Sequence, residues 1–136
     1  MNQLIIFNKE NETEKQCYSS MDINSKENKA KLFNATENAD ILAADVVGEK
    51  LTLVDVYLEK NPRVNEETGE LGHKYRTILF SKEGKTYASG SYGLYNSVVK
   101  ILSIYGIDFL HDEGLKVEIV KAKTKDGKQK LALKIA

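Results

Sequence analysis

The sequence predicts a mainly β fold with one or two helices. Three observations carry that expectation. Hydrophobic alternation takes a period of two from Leu51 onward, the stretches SKEG (81–84) and TKDG (124–127) are tight-turn signals, and one strongly amphipathic stripe runs from Ser91 to Tyr105. Their order is strand, long connection, strand, tight turn, strand, helix, strand, tight turn, strand. A helix between the third and fourth of five strands is the order of the OB-fold, a partly open barrel that binds ligands on strands 2 and 3, between the loops joining strands 1–2 and 4–5. A helix packed on an open α+β sheet is the second choice.

Residues 1–40 read as an N-terminal extension and residues 41–136 as the OB-like domain. Gln3–Phe7 can add an edge strand, and the polar run Asn8–Lys15 reads as loop. Asn24 with Glu27 has the spacing of a capping box, and Ala30, Leu32, Phe33 and Ala35 give the helix that follows a modest apolar face up to Asn38. Leu51–Glu59 is the first barrel strand. Thr52, Val54, Val56 and Leu58 share one face, Leu53, Asp55 and Tyr57 the other, and both faces are partly apolar. The polar stretch KNPRVNEETGELG (60–72), holding Pro62, reads as a long loop. Lys74–Phe80 and Lys85–Ser89 pair across a turn whose positive φ falls to Gly84. The helix Ser91–Tyr105 buries Leu94, Tyr95, Val98, Ile101, Leu102 and Tyr105 and ends at Gly106. Leu115–Lys123 and Lys128–Ile135 close the chain as a hairpin around Asp126-Gly127.

With 136 residues there is room for one domain with a real core. No apolar run is long enough to span a bilayer, and the N-terminus lacks the basic lead and cleavage site of a signal peptide, so a cytoplasmic location is expected. Cys17, the single cysteine, makes neither an internal disulfide nor a cysteine metal cluster. No phosphate-binding glycine loop and no nucleophile elbow occurs. His73 and His111 have no acids at metal-ligand spacing around them. Neither an enzyme nor a cofactor or metal is expected.

Binding signals are stronger. The formal net charge is zero, but residues 1–70 carry a balance of −6 and residues 71–136 one of +6. A local basic field attracts a polyanion even on a neutral protein, unless folding intermixes the charges. There are seven tyrosines and no tryptophan, and Tyr75, Tyr87, Tyr92, Tyr95 and Tyr105 crowd into one stretch. Tyr75 and Tyr87 lie on the two strands of the expected platform, where their rings could stack on bases; strand propensity alone would also place them there. Tyr95 and Tyr105 fall on the helix's apolar stripe and read as core. Lys121, Lys123, Lys125, Lys128 and Lys130 crowd the last hairpin with only Asp126 among them, a cluster suited to phosphates or to guarding an edge strand. Lys74, Arg76, Lys82 and Lys85 add charge on or beside the platform, and Lys60 and Arg63 sit at the other flanking loop.

The segments KAKLFNATENAD (29–40), NEETGE (65–70), YRTILF (75–80), GKTYASGSYG (84–93) and the closing hairpin, in that order, resemble the single-stranded DNA-binding proteins of small tailed bacteriophages and mobile elements of Gram-positive bacteria. The resemblance runs from about Met21 to Ile135. It implies sequence-tolerant binding of single-stranded DNA, protecting displaced strands during phage replication or recombination. It also leaves room for homo-oligomers and replication proteins as partners. The tyrosines of YGLY (92–95) depart from the small or aliphatic residues expected there. A protein–protein adaptor or host-factor antagonist on the same barrel, working through the acidic N-terminal half, is the alternative function.

Overall fold

The computed structural model describes residues 4–6 (backbone), 16–22, 24–123, 127 and 129–136. In chain order the elements are β1 (Leu4–Ile6), β2 (Gln16–Ser19), α1 (Lys26–Glu37), β3 (Ile41–Leu42), a 3-10 turn (Ala43–Val46), β4 (Lys50–Val64), β5 (Leu71–Ser81), β6 (Thr86–Ser89), α2 (Tyr92–Ile104), α3 (Ile107–Asp112), β7 (Leu115–Lys123) and β8 (Gln129–Ile135).

The sheet is built around β4. One edge of β4 pairs antiparallel with β5. The other edge pairs with β7 over Lys50–Leu53 and with β2 over Tyr57–Lys60. β6 continues from β5, and the short β3 pairs parallel with β6. The result is a mixed, mostly β architecture: a curled, half-barrel sheet with three helices. The five expected barrel strands are present as β4, β5, β6, β7 and β8, with α2 at the expected point in the order. A closed barrel is not formed, because among the described residues β8 pairs with β7 alone and no ladder joins it to β6. Instead α2 packs on β8. Ser91 Oγ donates to the Leu131 carbonyl at 3.3 Å, and the Leu133 N–H donates to Ser97 Oγ at 3.1 Å. The backbones approach so closely that a Cβ on Gly93 would lie 2.3 Å from the Leu131 carbonyl oxygen, so only glycine fits there.

Two apolar clusters flank the sheet. Inside the curl, Leu51, Leu53, Val56, Leu58 and Leu79 meet Leu94 and Val98 of α2 and Val117 and Ile119 of β7. Outside it, Tyr57, Ile78, Phe80 and Ala88 are covered by Ala35 and Leu32 of α1. A register shift between Leu53 and Asp55 explains the face ambiguity of this strand. The extra residue re-phases the alternation, so Leu51 and Leu53 join Val56 and Leu58 inside rather than opposing them.

Other expectations need correction. The expected long loop 60–72 is mostly strand: β4 and β5 continue as a projecting two-stranded arm, paired up to Val64 and Leu71. Its reversal is confined to 65–70, where Asn65 Oδ1 accepts from the Glu67 and Thr68 N–H groups and Gly69 takes φ +72°. Pro62 lies beyond Lys60, the last residue paired with β2, so its missing N–H interrupts no ladder on that edge. Ser25, not Asn24, caps α1, accepting from the Asn28 N–H at 3.2 Å. Phe33 is exposed rather than part of the buried face. The short elements β2, β3 and α3 went unforeseen, and the Asn8–Lys15 loop lies outside the described residues.

Candidate nucleic-acid interface

Cross-strand partners share a face of a sheet, so the register of the arm sorts its side chains. Tyr75 faces Lys60 and His73 faces Pro62 on the side that continues the inner core. Arg76 with Glu59, and Lys74 with Asn61, occupy the other side.

The first turn of α2 reaches Tyr75 on the inner side. Ser91 caps that helix by accepting from the Leu94 N–H, and Ser89 Oγ accepts from the Ser91 N–H, so the link from β6 is short and fixed. Tyr92 and Tyr95, three residues apart and therefore neighbours on the helix surface, then close on Tyr75. Their ring centroids lie 4.8 Å and 4.7 Å from that of Tyr75, and 6.3 Å from one another at 21°. The Tyr92 ring is 57% exposed, while Tyr75 and Tyr95 are half-buried. Burial raises the hydroxyl pKa of Tyr75 and of Tyr95, with the neighbouring tyrosines adding to it. These two rings therefore stay neutral and present π-faces rather than phenolates. The stem of Lys130 on β8 lies against Gly93, beside this cluster.

The predicted residues separate into groups. Lys60 stands opposite Tyr75 across the ladder. Arg63 lies further out along the arm, opposite Gly72, and Lys74 and Arg76 face the reverse side. Lys121 and Lys123 project, exposed, from the outer end of β7, paired with Leu131 and Gln129. Lys125, Lys128 and Asp126 lie outside the described residues. α2 touches both β5 and β8, so the arm and the closing hairpin flank its start.

Two placements differ from the sequence reading. Tyr87 is 2% exposed, pairs with Leu79 on the inner face and donates its hydroxyl to Glu49 Oε2, so its ring is core and offers no stacking face. Burial and that hydrogen bond raise its pKa far above the ordinary tyrosine value. Lys82 and Lys85 are exposed at the β5–β6 turn, the opposite end of β5 from Tyr75. At about 3.3 Å per residue that is about 20 Å away. Tyr95 packs partly buried against the inner core, as its place on the helical stripe implies, and its ring also meets Tyr75 and Tyr92, the second of which was left unassigned. The signal that could have found them was YGLY itself, two tyrosines at helical spacing right after a strand that ends beside Tyr75.

Ser20, Asp55 and His111 also meet, in residue types that suggest hydrolysis. Ser20 Oγ donates to Asp55 Oδ1 at 2.8 Å, and His111 Nε2 lies 2.7 Å from the same oxygen. The carboxylate sits between the other two, so the imidazole does not reach the hydroxyl as a general base. Ser20 Oγ also accepts from the Val56 N–H. This knot ties α3 and the end of β2 to β4, at the point where the edge of β4 passes from β7 to β2.

Stacked aromatic surface between two lysine-bearing hairpins is the equipment of a module that holds single-stranded nucleic acid. Residues 11–136 match the family model of the Phi29-type phage single-stranded DNA-binding protein, and the chain belongs to that family. It is a non-enzymatic protein that binds single-stranded DNA in phage replication. Comparison with curated proteins and with solved structures finds no match. Among the described residues, no helix is long and apolar enough to cross a membrane.

Proposed function

We propose that single-stranded DNA lies across the face made by Tyr75, Tyr92 and Tyr95. Lys60 of the arm and Lys121, Lys123 and Lys130 of the closing hairpin hold its phosphates, and Lys125 and Lys128 extend the same charge. The observation that carries this reading is the tyrosine cluster itself: three rings within stacking distance, one of them mostly exposed, set between two cationic hairpins. Bases stack on such rings at about 1–3 kcal/mol each and without regard to sequence, because every base has a π-face. The reading is supported by analogy with OB-like modules, which hold their ligand on a platform strand flanked by the 1–2 and 4–5 connections. Residues 1–40 serve as an extension that braces the sheet, through β2 on the edge of β4 and α1 on its outer face. The site of action is the host cytoplasm, where displaced strands form.

The chain has no tryptophan, so its intrinsic emission comes from tyrosine. Titration with oligo-dT should quench that emission. About four neutralised phosphates should make log K fall with log salt at a slope near −3, at about −0.7 per contact on single strands. No quenching, or an affinity indifferent to salt, refutes the assignment.

A further inference from the structure

The reverse side of the arm carries a groove of its own, of about 370 Å³, lined by Leu42, Glu59, Asn61, Lys74, Arg76 and Ser89 together with Ala88, Gly90 and the Tyr75 edge. It forms because β6 pairs with β5 only over Thr77–Phe80. Among the described residues no strand covers the same edge of β5 from 71 to 76. The chain leaves β6 through Gly90, beside the Tyr75 carbonyl, and turns into α2. Gly90 is thus a sill with no side chain, having the tyrosine cluster on one side and the groove on the other.

The lining has the mixed chemistry of a nucleotide. Leu42 is 61% exposed, an apolar side chain placed by the parallel pairing of β3 opposite Ala88. Leu42 is the exposed apolar side chain of the lining, with the buried Ala88 as its ladder partner. Asn61 donates its amide to Glu59 Oε1, which leaves Asn61 Oδ1 as an acceptor. Arg76 and Lys74 stand at the rim. Glu59, the one carboxylate in the lining, is buried, accepts from the Tyr57 hydroxyl at 2.7 Å, and lies across the ladder from Arg76. The volume falls in the range of about 300–1,000 Å³ that takes small organic ligands.

We propose that this groove is a nucleotide subsite for the same single strand. The strand crosses the Gly90 sill. One base stacks on the Tyr75–Tyr92 surface, and its neighbour seats against Leu42 and Ala88 with its polar edge toward Asn61. The adjoining phosphates lie on Lys74 and Arg76. The arm is then gripped from both faces, which accounts for cations on the side turned away from the tyrosines. This inference rests on the reading of the tyrosine face as the DNA interface.

The test uses the whole chain with fluorescein-labelled oligo-dT, alongside oligo-dT carrying one 5-iododeoxyuridine for photocrosslinking. Leu42→Asp should weaken binding about tenfold at an unchanged melting temperature, whereas Leu42→Tyr, which enlarges the apolar surface for a base, should bind as well as the parent or better. The crosslink on the parent protein should fall in peptides holding 41–42 or 88–90 as well as on Tyr75 or Tyr92. If Leu42→Asp binds within twofold of the parent and the crosslinks miss 41–42 and 88–90 while Tyr92→Ala is weak, the groove is empty and the tyrosine face stands. If Tyr92→Ala and Leu42→Asp both bind like the parent, the interface itself is misplaced and the subsite falls with it. Should Leu42→Asp melt early, the crosslink map on the parent protein decides.

Discussion

The inner and outer halves of β5 share one strand and one face assignment, yet have opposite fates. From Thr77 to Ser81 every residue is buried, with β4 and β6 on the two edges, α1 on one face and the inner core on the other. From Leu71 to Arg76 none is buried: β4 alone pairs there, and cover comes from two tyrosines of α2. Tyr87 lies against the inner half and is core. Tyr75 lies on the outer half and is surface. What a tyrosine does here follows from how many layers reach it, not from its residue type or its strand. The inner half supplies rigidity, and the outer half spends that rigidity on holding aromatic and cationic groups in the open.

The sharpest way to break the comparison is to remove one ring from each half. Tyr87→Ala removes a fully enclosed ring and leaves Glu49 without its hydroxyl partner. It should lower stability by about 3–5 kcal/mol in a denaturant melt, while the fraction still folded binds oligo-dT within twofold of the parent. Tyr92→Ala, next in size, should do the reverse, losing about 1–3 kcal/mol of affinity with its melting temperature unchanged, because the ring is mostly in solvent. If Tyr92→Ala melts early and binds normally, the outer half is structural after all.

Much of the inner half could be read from the sequence. The strand order, the span of α2, and the turns at Gly84 and Gly127 follow from period-two alternation, a wide apolar stripe and residues that take positive φ. The outer half was misread because a strand with solvent on both faces shows no alternation. Asn61, Arg63 and Glu70 look like loop residues, and only pairing in space makes 60–64 and 71–73 strand. The register shift at Leu53/Asp55 was hidden for a related reason: a single extra residue swaps faces without any compositional mark. Tyr75 was placed on its strand from the sequence, whereas Lys60 was read into the loop and only the pairing of the arm sets it opposite Tyr75. The contact of Tyr95 with Tyr75 could not be read, since a helical stripe looks the same whether it faces a core alone or a core and a projecting arm. Lys82 and Lys85 were drawn in by nearness in sequence to Tyr75 and Tyr87, although strand direction carries them to the far end.

That last separation gives the smallest and most local prediction. Lys60 lies directly across the ladder from Tyr75, and Lys82 lies at the other end of β5. Both are single positive charges on a neutral protein, so a general attraction between the chain and DNA would register their loss equally. A phosphate contact would not. Counterion release follows local contacts, so Lys60→Ala should make the slope of log K against log salt shallower by about 0.7, and Lys82→Ala should leave it unchanged. Base composition should make no difference to either, because lysine reads the backbone and not the bases. Equal changes of slope in the two variants would mean that the far turn of β5 also touches the strand, and that the bound DNA runs the length of β5 rather than across its outer half.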